Sequence, residues 1–209
     1  MNSLEIRGYI YTAIALLVAI IPHEIAHGYA AYLLGDDTAK TDGRLSLNPL
    51  HHIDPVGLLS MIVFRIGWAK AVPINPSKFK GNRKVGTIIV SLAGVFVNFL
   101  QAFIFSIPFM YAYLKSYEVV YLFNEILWYN IMLGVFNLVP LPPLDGSKVI
   151  ASLLPSKVEY IFYKYEKYFY FVLVLLVFSG GINKIIAPII LKIREIVLSF
   201  GAFVIWNIG

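Results

Sequence analysis

The stretch Pro22-His23-Glu24-Ile25-Ala26-His27 places two histidines four residues apart, in a run over residues 9–34 whose only formally charged residue is Glu24. On a helix, this spacing sends both imidazoles from one face, about one turn apart. Their nitrogens can then hold one Zn²⁺ while Glu24 reaches the water that the metal binds. A soluble protein could carry this pattern by chance, but inside a membrane such side chains are costly and indicate a functional site.

The composition indicates an integral membrane protein. Of the 209 residues, 59% are hydrophobic and 14% are charged, whereas soluble domains carry about 25% charged residues. The chain has no cysteine, so nitrogen and oxygen atoms must supply the ligands of any zinc ion. The net charge of +5 is small, and no basic cluster with interleaved aromatic residues suggests a nucleic-acid partner.

Long apolar runs predict the membrane-spanning helices. Residues 8–34 and 85–114 are each long enough to cross a hydrocarbon core of about 30 Å, and residues 119–136 predict another span. Residues 148–167 mix lysine and glutamate with aromatic residues, which is typical of a helix at the membrane interface. Further apolar residues follow, interrupted by charges at 192–195. We therefore predict an all-α membrane protein, a polytopic transmembrane helix bundle with about five to six membrane segments.

We expect a single integral membrane domain over residues 1–209, because no polar stretch is long enough to form a separate soluble domain. Its core is predicted to comprise residues 8–150 and to contain the metal site. Residues 151–209 are expected to add interfacial and transmembrane helices at the C-terminal side.

The segment after the first span predicts a small β structure at the membrane. Residues 45–48 and 71–75 resemble short strands, which predicts a membrane-associated β-hairpin or small sheet. Residues 56–71 are apolar but too short between charges to cross, so a re-entrant or interfacial segment is favoured. The aspartates of residues 35–44 lack the spacing of a calcium-binding EF-hand loop, which favours a solvated connection.

A third metal ligand is predicted at Asp145. Three prolines within residues 140–143 cannot continue a helix, so the backbone there must be extended. Asp145 follows as a carboxylate in an apolar setting, which is costly unless it is paired. Binding a metal would pair it and would supply the ligand that two histidines still need. The adjacent His51 and His52 point apart, so we favour a turn or cap role for them over metal binding.

The span over residues 85–114 carries Ser91, Gly94 and Asn98 near one face. Small residues allow close helix contact, and an asparagine in lipid needs a partner. Helix packing and a role beside the metal site both remain open interpretations of this face.

The placement of lysine and arginine predicts the orientation. Residues 35–84 carry eight of them and residues 146–167 carry four, whereas the turn at 114–118 carries one. The two rich stretches are expected in the cytoplasm, which places the N-terminus outside. We therefore predict a multi-pass protein of the cell membrane whose histidine pair and Asp145 both lie toward the cytoplasmic side.

These motifs together resemble the site-2 protease family of intramembrane zinc metalloproteases. Within the family, the chain is similar to the short bacterial and archaeal forms without PDZ or CBS domains. The resemblance covers most of residues 20–150 and is carried by HEIAH at 23–27, GRLSLNP at 43–49, WAKAVPINP at 68–76 and NLVPLPPLDG at 137–146.

The resemblance implies that His23, His27 and Asp145 bind one Zn²⁺ per chain and that Glu24 is the general base. It implies that Asn137 contacts the substrate or the oxyanion, and Asn98 matches a family asparagine for which we expect a similar role. The expected reaction is the hydrolysis of peptide bonds in transmembrane protein substrates near the cytoplasmic side of the bilayer. The expected partners are such a protein or peptide and the lipid bilayer, and the sequence assigns no oligomeric state.

Two other functions were weighed against a protease. A metal transporter would need metal-binding side chains on both sides of the membrane, and the outer half of this chain has few of them. A catalytically inactive relative that binds membrane proteins would be expected to lack Glu24 or a ligand, and all four residues are present.

A further hypothesis concerns how the substrate is held. An extended peptide can add to the edge of a sheet through backbone hydrogen bonds. The strand-like residues 71–75 could form such an edge, with Val72, Ile74 and Asn75 as docking residues. The competing interpretation is that residues 45–48 and 71–75 only cap the helix bundle.

Overall fold

A computed structural model describes residues 3–54 and 70–208 of the chain, and these residues are mostly helical. Short 3-10 turns lie at Pro49–His51 and Pro76–Lys78. The α-helices of the described residues are α1 Ser3–Leu33, α2 Thr38–Thr41, α3 Arg83–Leu114, α4 Val120–Asn137, α5 Asp145–Leu153, α6 Ser156–Lys164, α7 Glu166–Phe178 and α8 Gly181–Ile208.

The long helices form a bundle in which α1, α3 and α4 pack against one another, and α8 packs on α3 and α4. Leu127 and Ile131 of α4 are fully buried at the centre of the apolar core. Ala102 of α3 and Val197 of α8 pack into the same core. The predicted all-helical bundle is therefore present in the described residues.

Two helices are long and apolar enough to cross a membrane, Ile6–Leu33 and Arg83–Leu114. A third span results if α7 and α8, which meet at a bend of 74°, together form one broken span. Helix α4 has 18 residues, but four of them are polar: Asn124, Glu125, Asn130 and Asn137. Length and composition therefore do not confirm the predicted five to six segments.

The proline-rich segment ends α4 as its sequence predicts, but residues 138–144 form turns and bends instead of the predicted extended backbone. Helix α4 ends at Asn137, and α5 begins at Asp145 after a non-helical connection that contains the cis peptide bond Pro142–Pro143. A Cβ atom on Gly146 would collide with the carbonyl oxygen of Leu138 and would lie 2.8 Å from that of Val139. The absence of a side chain at Gly146 therefore lets the connection fold back against the start of α5, which fixes the position of Asp145.

No β-sheet is present within residues 3–54 and 70–208, so the predicted small sheet is not confirmed. The predicted re-entrant segment lies almost entirely outside the described residues. The backbone N–H groups of Val72 and Asn75 donate to the carboxylates of Glu24 and Asp36, at 2.9 and 2.6 Å, instead of to another strand. Pro73 has no N–H to donate. Residues 71–75 are therefore held by side chains.

The polar connection after α1 is more ordered than a solvated loop. The Asp36 side chain is completely buried, and its carboxylate accepts hydrogen bonds from Thr38 as well as from Asn75. Burial raises the pKa of Asp36, but these hydrogen bonds outweigh it and hold that pKa below its ordinary value. Lys80 N–H also donates to the Leu34 carbonyl at 2.7 Å. Residues 35–44 and 70–80 thus form one unit beneath α1.

Candidate metal centre

Three buried side chains from α1 and α5 converge near the C-terminal end of α1, which is the end predicted to face the cytoplasm. The Nε2 atoms of His23 and His27 are 3.0 Å apart. Oδ2 of Asp145, at the start of α5, lies 3.4 Å from the first and 3.0 Å from the second. All three side chains are buried. Their ligand atoms lie close enough together to hold one metal ion, and no other such group is present within residues 3–54 and 70–208.

The spacing of these three atoms fits a zinc ion. Two ligand atoms each about 2.1 Å from a tetrahedral metal are about 3.4 Å apart. The three observed distances of 3.0 to 3.4 Å lie at or slightly below that value. Two imidazoles and one carboxylate are also a donor set that zinc hydrolases use, with a fourth position left for water or substrate. The residues present therefore fit Zn²⁺.

Both imidazoles are oriented by hydrogen bonds at their other nitrogen. His23 Nδ1 lies 2.6 Å from Oδ1 of Asn98, and His27 Nδ1 lies 2.7 Å from the carbonyl oxygen of Val90. An oxygen partner at Nδ1 requires the proton there, which leaves the Nε2 lone pair free for a metal. Both partners belong to α3, so this helix sets the direction of both rings.

The Asp145 carboxylate divides its two oxygens between different partners. Oδ2 faces the histidines, whereas Oδ1 accepts a hydrogen bond from Nζ of Lys148 at 3.0 Å, one turn later on α5. Oδ2 is therefore the oxygen placed to bind a cation together with the two histidines.

Close packing leaves little freedom around the imidazoles. A Cβ atom on Gly94 of α3 would lie 2.5 Å from Nε2 of His27 and 2.7 Å from the ring of His23. Only a hydrogen atom fits at that position, so the crossing of α1 and α3 brings backbone directly against the metal-binding nitrogens. Helix packing and a role beside the metal site both apply to this face of α3 at Gly94. The close approach of α1 and α3 at this residue is also what forms the site.

Glu24 is partly buried beside the same cluster. Its Oε2 atom accepts the backbone N–H of Val72 at 2.9 Å. A Cβ atom on Gly28, one turn further along α1, would approach Val72 Cγ1 to 2.9 Å and Leu45 Cδ2 to 2.6 Å. Residues 71–75, predicted to hold substrate, therefore lie directly against the predicted general base.

The other predicted site residues occupy different positions. Asn98 is completely buried, and both polar atoms of its amide are engaged within the protein, so its geometry favours orientation of His23 over contact with substrate. Asn137 is 9% exposed, and its Nδ2 donates to the Leu133 carbonyl at 3.1 Å. His51 and His52 bond the carbonyl oxygens of Gly43 and Ser46, in keeping with the turn role that was favoured for them.

Sequence reasoning missed two polar residues of this centre. Lys148 stands three residues after Asp145, a spacing at which opposite charges meet on a helix. Asn130 stands two helical turns before Asn137 in an apolar run, where an amide needs a partner. Each position therefore carried a local signal, but its partner depends on how the helices pack.

The comparisons with known proteins agree on one family. The family model described as Peptidase family M50 matches residues 107–180. YwhC of Bacillus subtilis, whose name describes a zinc metalloprotease, is 37% identical over 196 residues, covering 90% of this chain and 89% of that protein.

More distant relatives carry similar names. The zinc metalloprotease MJ0392 of Methanocaldococcus jannaschii is 27% identical over 150 residues, which cover 71% of this chain and 35% of that protein. Rip2 of Mycolicibacterium smegmatis, also named for a zinc metalloprotease, is 26% identical over 182 residues, covering 80% of this chain and 66% of that protein. No solved structure is significantly similar to the chain. Together with the geometry of the centre, the length and identity of the Bacillus match show that this chain belongs to peptidase family M50, the site-2 protease family of membrane zinc metalloproteases.

Proposed function

We propose that this chain is a zinc endopeptidase that cuts membrane-embedded protein substrates near the cytoplasmic side of the bilayer. His23, His27 and Asp145 hold one Zn²⁺, and Glu24 is the general base. The observation that carries the proposal is the convergence of three buried ligand atoms within 3.4 Å of one another, with Glu24 beside them.

When held by these residues, zinc would act as a Lewis acid on the scissile carbonyl and would lower the pKa of the attacking water toward about 7. Glu24 accepts the proton of that water and later delivers it to the leaving amine nitrogen. Because Oε2 of Glu24 accepts the Val72 N–H, Oε1 is the oxygen that can carry this proton. The amide of Asn137, whose Oδ1 makes no hydrogen bond within the described residues, lies on the last turn of α4 and is assigned to substrate contact.

The proposed membrane orientation rests on the distribution of basic residues and on one ion pair. Residues 35–84 and 146–167 carry most of the basic side chains and are assigned to the cytoplasm. Lys78 Nζ lies 2.7 Å from Oδ1 of Asp37, so the two polar connections around it meet on one side of the bundle. The N-terminus is then outside, and the protein crosses the cell membrane several times.

Residues 71–75 are the proposed docking edge for an unwound substrate. The N–H groups of Val72 and Asn75 are already bonded, and Pro73 has none. The N–H of Ile74 makes no hydrogen bond with the described residues, so it is a donor that a substrate backbone could use. Ile74 lies two residues after Val72, whose N–H bonds Glu24. An extended peptide docked at Ile74 would therefore lie within reach of Glu24.

A reconstituted cleavage assay tests the proposed function. Purified protein in lipid vesicles is mixed with candidate single-span membrane proteins, and products are identified by mass spectrometry. We expect cleavage within or beside the span, loss of cleavage after treatment with a zinc chelator, and recovery when zinc is added back. Cleavage that persists in the zinc-free protein would contradict the proposal.

A further inference from the structure

A chain of buried amides connects the first zinc-binding histidine to α4. His23 Nδ1 lies 2.6 Å from Oδ1 of Asn98. Nδ2 of Asn98 donates to Oδ1 of Asn130 at 3.0 Å and to the Ala19 carbonyl at 3.0 Å. Nδ2 of Asn130 donates in turn to the Ile126 carbonyl at 2.9 Å. Both asparagine side chains are completely buried.

The direction of this chain is fixed by backbone groups at its ends. The carbonyl oxygens of Ile126 and Ala19 can only accept hydrogen bonds. Asn130 must therefore direct its NH₂ group at Ile126 and its oxygen at Asn98. Asn98 must direct its NH₂ group at two acceptors and its oxygen at His23. An oxygen in that place requires a proton on His23 Nδ1, which leaves Nε2 as the lone-pair donor.

His23 needs hydrogen bonds that fix its tautomer through a neighbouring side chain, whereas His27 does not. The partner of His27 Nδ1 is the backbone carbonyl of Val90, which cannot change from acceptor to donor. The partner of His23 is an amide, which can rotate by half a turn and present NH₂ instead of oxygen. A rotated Asn98 would favour the proton on Nε2, where it blocks metal binding. The ring of His23 is therefore in the correct tautomer only if Asn98 is prevented from rotating.

We propose that Asn130 is a positioning residue of the metal centre, which acts through Asn98 to hold His23 in the Nδ1-protonated, zinc-binding tautomer. This inference rests on the proposed function, because it takes His23 as a zinc ligand. It assigns to α4, which supplies none of the three ligands, a role in zinc affinity. The alternative is that Asn130 only joins α4 to α3, in which case its loss would affect stability and leave the tautomer unchanged.

The first test reads the tautomer directly. Zinc-free protein with isotope-labelled histidine is examined by NMR at a pH where the imidazoles are neutral, and the chemical shifts of the ring nitrogens identify which one is protonated. The wild-type protein should hold His23 as the Nδ1-protonated form. The variants Asn98→Leu and Asn130→Leu should both raise the share of the Nε2-protonated form. A wild-type His23 protonated on Nε2 overturns the inference, even if a variant fails to fold.

The second test is a double-mutant cycle on zinc affinity, measured by competition with a chelator. Loss of a partner of a metal-binding histidine typically weakens metal affinity by about 10- to 100-fold, so we expect a loss in that range for Asn98→Leu. We expect Asn130→Leu alone to weaken affinity about tenfold, at the low end of that range, because the Ala19 carbonyl still orients Asn98. In the Asn98→Leu background, Asn130→Leu should have no further effect.

The matched control is Ser106→Ala, which removes a buried hydrogen bond to Phe103 elsewhere on α3 and should leave zinc affinity unchanged. Equal losses for Asn130→Leu in both backgrounds, or no loss in the wild-type background, overturn the inference. Failure of the proposed function is distinguishable, because wild-type protein would then bind no zinc or cut no substrate, whatever residue stands at position 130.

Discussion

Gly94 joins helix packing to metal binding within a single residue. Its Cα hydrogen faces the nitrogens of two imidazoles, and a methyl group there would come within 2.5 Å of His27 Nε2 and 2.7 Å of the His23 ring. Both rings are held from α3 by the Asn98 amide and the Val90 carbonyl. Neither ring can therefore retreat without breaking the hydrogen bond that orients it.

The substitution Gly94→Ala should remove most of the bound zinc. The added methyl group pushes the imidazoles off the positions from which they reach the metal, and a loss of at least about tenfold in zinc affinity is expected, as for other disturbed ligand settings. Elemental analysis of the purified protein measures the effect. Gly8→Ala is the control, because a Cβ atom there meets nothing within 4 Å. Wild-type zinc content in Gly94→Ala would show that the rings can move without harm.

The candidate ligands His23, His27 and Asp145 were predictable from sequence, and the residues that orient them were not. The spacing of His23 and His27 fixes one helix face, and an isolated carboxylate such as Asp145 in an apolar segment needs a partner. The contacts of Lys148 and Asn130 depend on tertiary packing, which spacing along one helix does not determine. A substrate role was expected for Asn98 from the family resemblance, because its hydrogen-bond partners could not be read from the sequence.

At the scale of elements, residues 71–75 show how side chains can replace strand pairing. Two of their backbone N–H groups bond the carboxylates of Glu24 and Asp36, which come from α1 and the loop that follows it. The segment is thereby anchored without a partner strand in the described residues. The strand-like sequence predicted extended backbone here, but it could not reveal that carboxylates hold the segment.

The substitution Ile74→Pro should strongly reduce substrate cleavage while zinc content and thermal stability stay near wild type. Proline removes the N–H that we assign to pairing with a substrate and breaks no hydrogen bond among the described residues. Cleavage rate, zinc content and melting temperature are measured on the same preparation.

Ile74→Ala is the matched control, because Ile74 also packs against the apolar cluster of Ala31, Phe79 and Val90. The alanine variant loses that packing but keeps the N–H, so it should cleave substrate better than the proline variant does. Unchanged cleavage in Ile74→Pro would exclude this docking edge. A joint fall of zinc, stability and activity would assign the segment a structural role instead.

The long helices were predictable because each contains a long apolar run, although α1 begins five residues before the run at 8–34 and α3 begins two residues before the run at 85–114. The C-terminal helices were not. Helix α7 ends just before Gly180, which has a φ of +71°, and α8 continues through the charges at 192–195. It can do so because Lys192 pairs with Glu195 at 2.8 Å and Arg194 donates to Asn124 at 3.0 Å.

At the scale of the whole molecule, the polar segments around α1 and α3 lie on one side of the bundle. Lys80 N–H bonds the Leu34 carbonyl, and Lys78 pairs with Asp37, so residues 34–37 and 78–80 are in direct contact. The basic residues of this side predict that it faces the cytoplasm.

Cysteines introduced singly at Thr41 and Ser77 test this orientation, since both positions are exposed and the chain has no native cysteine. An impermeant thiol reagent should label neither cysteine on intact cells and both after permeabilisation. Labelling of one from outside would show that the intervening residues cross the membrane. Labelling of both from outside would reverse the proposed orientation.

The central claim is that His23, His27 and Asp145 bind the zinc ion while Glu24 performs proton transfer without being a ligand. Zinc content and cleavage, measured together on purified Glu24→Gln and Asp145→Ala, test it most directly. We predict that Glu24→Gln keeps the wild-type zinc content and loses cleavage, and that Asp145→Ala loses most of its zinc. Full zinc content in Asp145→Ala, or cleavage by Glu24→Gln, would contradict the account.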